Sequence, residues 1–413
     1  MEKIRSYLFF WSCLLLTAGL LLLDIIRIMP SIGMISIVLI GLSYFYKPIY
    51  SNHKADTKPF MALAFTFLIL VPSYFYSSNL SYLFEKWQIA LPYLLLPLAF
   101  IKIPRLSERR NFLLYEFYFF CILIVCLLAF GYYLLNQEII NQLYLESRVM
   151  PTLLSHHPSL SLMIVFAVYV SYWLFQSKRY YKLAIERNLF IVGGVFLFIF
   201  LHVFSVRSGL LAMYVVLFIE LTKLAIQKKQ VKIALLTGLL FIVLGGITLL
   251  VSPTFSNKIA NTTKDLSNYQ NNGSVNNQSL GSRIISYKNG LRIAQETNIL
   301  FGCGLGDIND LNNEIFKKDY PDVTKPIIPH NQFLFYLAAI GILGVLLFGI
   351  GFYYPLFYKQ AYADPLLLVH YTIISIGFLF EAPLESQVGV AYSLLFILLP
   401  LHQKFGIKHY SNK

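Results

Sequence analysis

Stretches of about twenty apolar residues recur along this chain of 413 residues, and they constrain its fold more than any other feature. A bilayer core takes roughly 17–25 residues as helix. Runs near that length lie at Tyr7–Ile26, Ile28–Tyr46, Phe60–Tyr76, Trp87–Ile103, Phe112–Leu135 and Pro158–Phe175. Six more follow at Leu189–Phe204, Leu210–Ile226, Ile233–Val251, Gln332–Phe357, Pro365–Phe380 and Val388–Leu401, the last two being short. The chain is 57% hydrophobic and only 13% charged, against about 25% charged in a soluble protein, so a water-facing surface cannot be made. The expected fold is an all-α integral membrane protein with about twelve transmembrane helices. Residues 1–251 hold the first nine, 252–331 form one long loop, and 332–413 hold the last three and a tail, all as one membrane domain. The first run follows Lys3 and Arg5 as a signal peptide would. It is too long for an h-region and lacks an A-x-A-like site, so it reads as a retained helix.

The net charge of +13 would suggest nucleic acid in a soluble protein; here it is a topology signal. With a cytoplasmic N-terminus, 21 of the 33 basic residues fall on the inside, among them Lys47, Lys54, Lys58, Lys102, Arg105, Arg109 and Arg110. Lys178, Arg179, Lys182, Arg187, Lys223, Lys228, Lys229 and Lys232 belong to the same set. The short outside connections hold four, Arg27, Lys86, Arg148 and Arg207, and the long loop holds the other eight. Both termini are therefore expected inside, with the long loop outside. Cys13, Cys121 and Cys126 lie in apolar runs and Cys303 is alone in a polar loop, a pattern with neither a disulfide framework nor metal-ligand spacing.

The loop, about Ser252–His330, has in its first half an Asn/Ser-rich run, Ser267–Ser279, that reads as flexible or disordered. Further on, Ile284, Tyr287, Leu291 and Ala294 fall at helical spacing, with Ser282 as a cap and Arg292–Glu296 as an i,i+4 pair. An amphipathic helix there would lie across the outer membrane face and stop at Phe301-Gly-Cys-Gly-Leu-Gly-Asp307.

Ionisable groups at membrane level are expensive, which makes them the first candidates for chemistry. Arg207 stands in Phe204-Ser-Val-Arg-Ser-Gly209, a tight turn between two spans, in which Gly209 allows the turn and Ser208 satisfies backbone groups. It either snorkels to lipid phosphates or clamps an anion with its planar fork. Arg283 opens the loop helix on the same expected side, as a solvated residue or a second anion ligand. His330, in Ile327-Ile-Pro-His-Asn-Gln332, is held at the mouth of the tenth span, with Asn331 as that helix's cap. A histidine there is either an idle loop residue or a general base for a hydroxyl, beside a helix N-terminus that favours anions.

Other features weigh less. Gly302, Gly304 and Gly306 make a turn rather than a dinucleotide motif, with Asp307 as a cap or polar ligand. His156 and His157 mirror the helix entry at His330 but lack metal-ligand spacing. Glu381 and Glu385, in the last outer connection, either orient His330 or a sugar or face water. His202 and His370, within apolar runs, are expected to hydrogen-bond between helices.

The string Gly281-Ser-Arg-Ile284, then Asn298-Ile-Leu-Phe-Gly-Cys-Gly-Leu-Gly-Asp307, Pro329-His-Asn-Gln-Phe-Leu-Phe335 and Gly341-Ile-Leu-Gly344 resembles the O-antigen ligase and polymerase superfamily. Ser205-Val-Arg-Ser-Gly209 and the long loop before the tenth span are similar to that family too. The resemblance implies a glycosyltransferase of the GT-C type, acting on the outer (periplasmic) face of the bacterial inner membrane. It implies a donor glycan on undecaprenyl diphosphate and a glycolipid or glycan acceptor such as lipid A–core, with no cofactor, no divalent metal and no nucleic acid. Carried over, Arg207 and Arg283 hold the diphosphate, His330 is the base, and Asn331, Asp307 and Glu381 support them. Ligase and polymerase share these motifs, so both remain open. A transporter or flippase also fits twelve spans, but the ionisable residues gather at one face and no inverted repeat is evident.

Overall fold

The computed structural model describes residues 2–46, 54–177, 185–226, 229–271, 279–321, 323 and 326–408. Lys47, Lys178, Arg179, Lys182, Lys228 and residues 272–278 of the Asn/Ser-rich run lie outside the described residues. The helices, in chain order, are α1 (Glu2–Leu22), α2 (Met29–Tyr46), α3 (Lys58–Leu68), α4 (Leu80–Ala90), α5 (Pro92–Lys102) and α6 (Glu108–Leu135). There follow α7 (Gln137–Leu145), α8 (His157–Gln176), α9 (Ile185–Phe204), α10 (Arg207–Ile226), α11 (Val231–Val251) and α12 (Pro253–Gln270). The last are α13 (Ser279–Glu296), α14 (Ile308–Asp319), α15 (Gln332–Phe357), α16 (Pro365–Phe380) and α17 (Gln387–Phe405). Among the described residues there is no strand, and the protein is an all-α polytopic membrane protein.

Ten of the described helical stretches are long and apolar enough to cross a bilayer, two fewer than the sequence suggests. Trp87–Ile103 is divided: α4 and α5, of eleven residues each, meet at Leu91-Pro92. Proline has no N–H to donate and its ring collides with the carbonyl four residues back, so the helix bends there. The other difference is α16, whose 16 residues fall below the usual crossing length. In α11, Leu235, Leu236, Leu239, Leu240 and Ile242 are all more than half exposed. An apolar surface that large on a helix is at home only in lipid.

The chain forms two compact units. One comprises Met1–Leu114, Ser282–Tyr371 and Phe378–Lys413, and α17 is at its core, with every residue from Val388 to Leu401 buried against neighbours that include α1, α2, α4 and α5. The other comprises Tyr115–Gly281 and Thr372–Gly377, where α8 packs on α9 and α10, and α12 on α7.

The described part of the long loop is more ordered than its composition suggests. Pro253–Gln270 is helical, taking in the first residues of the Asn/Ser-rich run. Its buried residues are polar, Thr254, Lys258, Asn261 and Asp265, which places them on one stripe at helical spacing. That stripe is hard to see in sequence because it lacks apolar side chains. α13 starts at Ser279, so Ser282 lies inside the helix and does not cap it. Its buried face is Ile285, Ser286, Asn289, Gly290, Ile293 and Ala294, the last as expected, whereas Leu291 is exposed. Small and polar residues make that face because it packs closely on the Pro329-His330 entry to α15.

Candidate active site

The site is built around an interruption in α15. Gly341 has φ +69° and ψ −176° inside an otherwise helical run, a conformation essentially confined to glycine. The interruption would orphan the flanking backbone groups, and the glycine-rich loop supplies their partners. Cys303 N donates to Ala338 O at 2.8 Å and Gly304 N to Ala339 O at 2.9 Å, while Ile342 N donates to Ile299 O at 2.9 Å. A Cβ on Gly341 would stand 2.3 Å from the Leu300 carbonyl, and one on Gly302 would stand 2.5 Å from Ala339. Gly302 and Gly341 are thus two halves of one backbone junction. Asp307 secures the loop from the other side, accepting from Ser78 N at 2.9 Å and Asn79 N at 2.7 Å. It holds structure here; it makes no capping bond to α14. Burial, with Asp307 nearby adding to it, pushes the Cys303 thiol up to about 12, far from a reactive thiolate.

The first half of α15 carries His330 and Asn331 at its entrance. Asn331 caps it, its Oδ1 accepting from Leu334 N at 3.0 Å, and its Nδ2 donates to Leu379 O at 3.1 Å. His330 N donates to Ser286 Oγ on α13 at 3.2 Å. His330 Nδ1 lies 2.6 Å from Glu381 Oε2, and Arg283 Nη2 donates to Glu381 Oε1 at 2.5 Å. Arg283, Glu381 and His330, 98 and 51 residues apart along the chain, therefore meet on one carboxylate. The Glu381 side chain is 8% exposed and that of His330 29%. An ionised carboxylate only accepts, so Nδ1 carries the proton, and in the neutral ring Nε2 is then the nitrogen with the lone pair. Tyr287 OH donates to Leu379 O at 2.9 Å and helps anchor the end of α16 from which Glu381 follows.

A second polar cluster sits four residues further on. Glu385, closing a short 3-10 turn at Pro383–Glu385, faces Lys86 Nζ of α4 at 3.4 Å, with both side chains under 10% exposed. Gln332, fully buried, donates through Nε2 to Glu385 Oε1 at 3.4 Å and accepts through Oε1 from Leu384 N at 2.9 Å. Burial pushes the Glu385 carboxyl up. Burial pulls Lys86 down, but Glu385 and the Tyr82 hydroxyl outweigh this and hold its ammonium above the usual value. Sequence reasoning missed Lys86 and Gln332. The signal available was two opposite charges, Lys86 and Glu385, each bordering an apolar run.

Arg207 belongs to the other unit, where Nη2 donates to Thr262 Oγ1 of α12 at 2.6 Å. The turn before it differs from the expectation. Ser205 takes the left-handed backbone, at φ 53°. Gly209 lies inside α10, with Ser161 2.6 Å from where its Cβ would be, so it serves close helix packing. Among the described residues Ser208 Oγ has no hydrogen-bond partner, and it does not satisfy the turn. His156 caps α8 through Nδ1, which accepts from Ser159 N at 3.4 Å. His202 Nε2 meets Tyr214 OH at 2.8 Å, and His370 Nε2 meets Ser393 O at 3.3 Å; both contacts join neighbouring helices, as expected.

Residues 192–349 match a family model described as O-antigen ligase. The chain therefore carries an O-antigen ligase family domain there, and the family comprises membrane glycosyltransferase-like ligases and polymerases. The matched segment contains Arg207, Arg283, the glycine junction and His330, whereas Lys86, Glu381 and Glu385 lie outside it. No curated protein matches the chain.

Proposed function

We propose that the chain is an O-antigen ligase-type glycosyltransferase. It moves a glycan from undecaprenyl diphosphate to a hydroxyl of a surface acceptor such as lipid A–core, on the periplasmic face of the inner membrane. The observation that carries this reading is the single carboxylate, Glu381, shared by His330 and Arg283. A lipid diphosphate is already a good leaving group, so the enzyme has two tasks: to take the acceptor's proton and to neutralise the departing charge.

His330 Nε2 takes the acceptor proton as the hydroxyl oxygen bonds to the anomeric carbon. The bond from that carbon to the diphosphate oxygen breaks with its electron pair, and the configuration inverts. Glu381 keeps Nδ1 protonated and stabilises the imidazolium that forms. Arg283 keeps further N–H groups of its fork for phosphate oxygens while one is engaged with Glu381. Arg207 is a second proposed diphosphate ligand, supported by its Ser-Val-Arg-Ser-Gly setting in the sequence. The chemistry uses no divalent metal.

The test is transfer by the purified protein, supplied with undecaprenyl-diphosphate glycan and candidate acceptors in the presence of a chelator. Product should form, His330→Ala should abolish it while the protein still folds, and Arg283→Ala and Arg207→Ala should weaken donor use. Full activity of folded His330→Ala would remove the base. A product that is a longer lipid-linked glycan, rather than a capped acceptor, would assign the same site to a polymerase.

A further inference from the structure

The connection that presents Glu381 is tied down beside it by a buried charge pair, Lys86–Glu385, and by Gln332. We infer that Lys86, Glu385 and Gln332 are positioning residues for transfer, setting where the Glu381 carboxylate stands under His330. The inference rests on the proposed function and adds to it three residues that touch neither the donor nor the acceptor.

Gln332 links the two groups. It lies two residues after His330 and its amide grips the connection twice, at Leu384 N and at the Glu385 carboxylate. The base and the carboxylate that orients it are thus spaced by a side chain belonging to the base's own helix. Lys86 holds the other Glu385 oxygen from α4 and lies over the Tyr82 ring, 4.9 Å from its centroid. The turn is short enough to transmit this grip: Glu385 N donates to Ala382 O at 3.1 Å, and Ala382 directly follows Glu381.

Stability does not account for such a pair. Two buried charges lose their hydration, and replacing them with neutral side chains of similar volume is often neutral or stabilising. What a pair of this kind supplies is a fixed geometry. A misplacement of about 1 Å in a catalytic arrangement can cost on the order of 100-fold in rate.

The deciding variant is Lys86→Met with Glu385→Gln, which removes both charges and leaves Gln332 an oxygen to bond. In the purified full-length protein, with undecaprenyl-diphosphate glycan as donor, kcat should fall by roughly 10- to 100-fold. KM for the donor should stay near its original value and the melting temperature in detergent should not fall. Lys86→Arg, which keeps the charge, should retain most of the rate. Glu385→Gln alone reads the same kcat-against-KM split if the double variant does not accumulate. Unchanged kcat in folded variants would overturn the inference, as would a loss of rate that only tracks a loss of folded protein. His330→Ala, run in parallel, separates the two claims. If it is inactive while the charge-free variant is fully active, the positioning role alone fails; if it is active, the base assignment fails and the positioning role falls with it.

Discussion

Glu381 and Glu385 stand four residues apart on one connection between α16 and α17, and their surroundings differ in one respect that decides their use. Glu381 faces Arg283 and His330, whose side chains keep 19% and 29% of their surface open. Glu385 faces Lys86 and Gln332, which are closed off. A carboxylate beside open partners can respond to a substrate, because those partners can exchange one ligand for another. A carboxylate sealed with its partners can only hold them. Under the proposed function, two acidic residues with similar sequence surroundings thus divide into one that works on the reaction and one that supports it.

The largest expected effect follows from removing the charge at the open site. Glu381→Gln keeps the shape but offers His330 Nδ1 an amide that can be placed either way round, so the tautomer and the imidazolium both lose support. A general base contributes about 100- to 10,000-fold, and steady-state transfer should fall by an amount in that range, well beyond that of Glu385→Gln. Equal losses in the two variants would erase the distinction between them.

The next effect is on folding rather than chemistry. Gly341→Ala places a Cβ against the Leu300 carbonyl in a backbone region reserved for glycine. The cost should be about 3 kcal/mol or more, seen as a large drop in melting temperature or as failure to accumulate. Gly341→Ala that melts like the wild type would mean that the junction is looser than its hydrogen bonds imply. Asp307→Ala should cost less, about 1–3 kcal/mol for the hydrogen bonds to Ser78 and Asn79. Transfer per folded molecule should be unchanged if the loop is all that Asp307 holds. A loss of rate without a loss of stability would return Asp307 to the site.

These contrasts also mark how far the sequence could be read. Ten of the twelve apolar runs, the Asn331 cap and the histidine pairs inside the bundle follow from local pattern and are found in the structure. His330 and Arg283 were visible as rare charges beside a helix start. Glu381 beside His330 was one of the alternatives for the last outer connection, but Arg283 on the same carboxylate was not, because a contact spanning 98 residues leaves no periodic trace. The glycine junction was half visible. Gly302, Gly304 and Gly341 stand out individually, but their pairing arises from a helix break, and hydropathy passes straight through Gly341. Lys86 was hidden for another reason: counted among the outer basic residues, it looked like topology, and only its burial against Glu385 reveals a different use.

The smallest effect belongs to the carboxylates that are neither open to a substrate nor sealed. Glu296 and Asp319 both engage Arg292 on the surface of the segment containing α13 and α14. An ion pair in water gains little, because solvent already stabilises each charge and the side chains lose freedom in meeting. Arg292→Ala should therefore leave both the melting temperature and the transfer rate unchanged, although it breaks two ion pairs at once. This sharpens the contrast between Glu381 and Glu385. If carboxylate pairing as such mattered, Arg292 would count most, since it serves two acids. If burial and placement matter, the order of effects is Glu381, then Glu385, then Arg292. A clear loss of activity in Arg292→Ala, measured by the same transfer assay, would show that α13 is held onto the site from its far end as well.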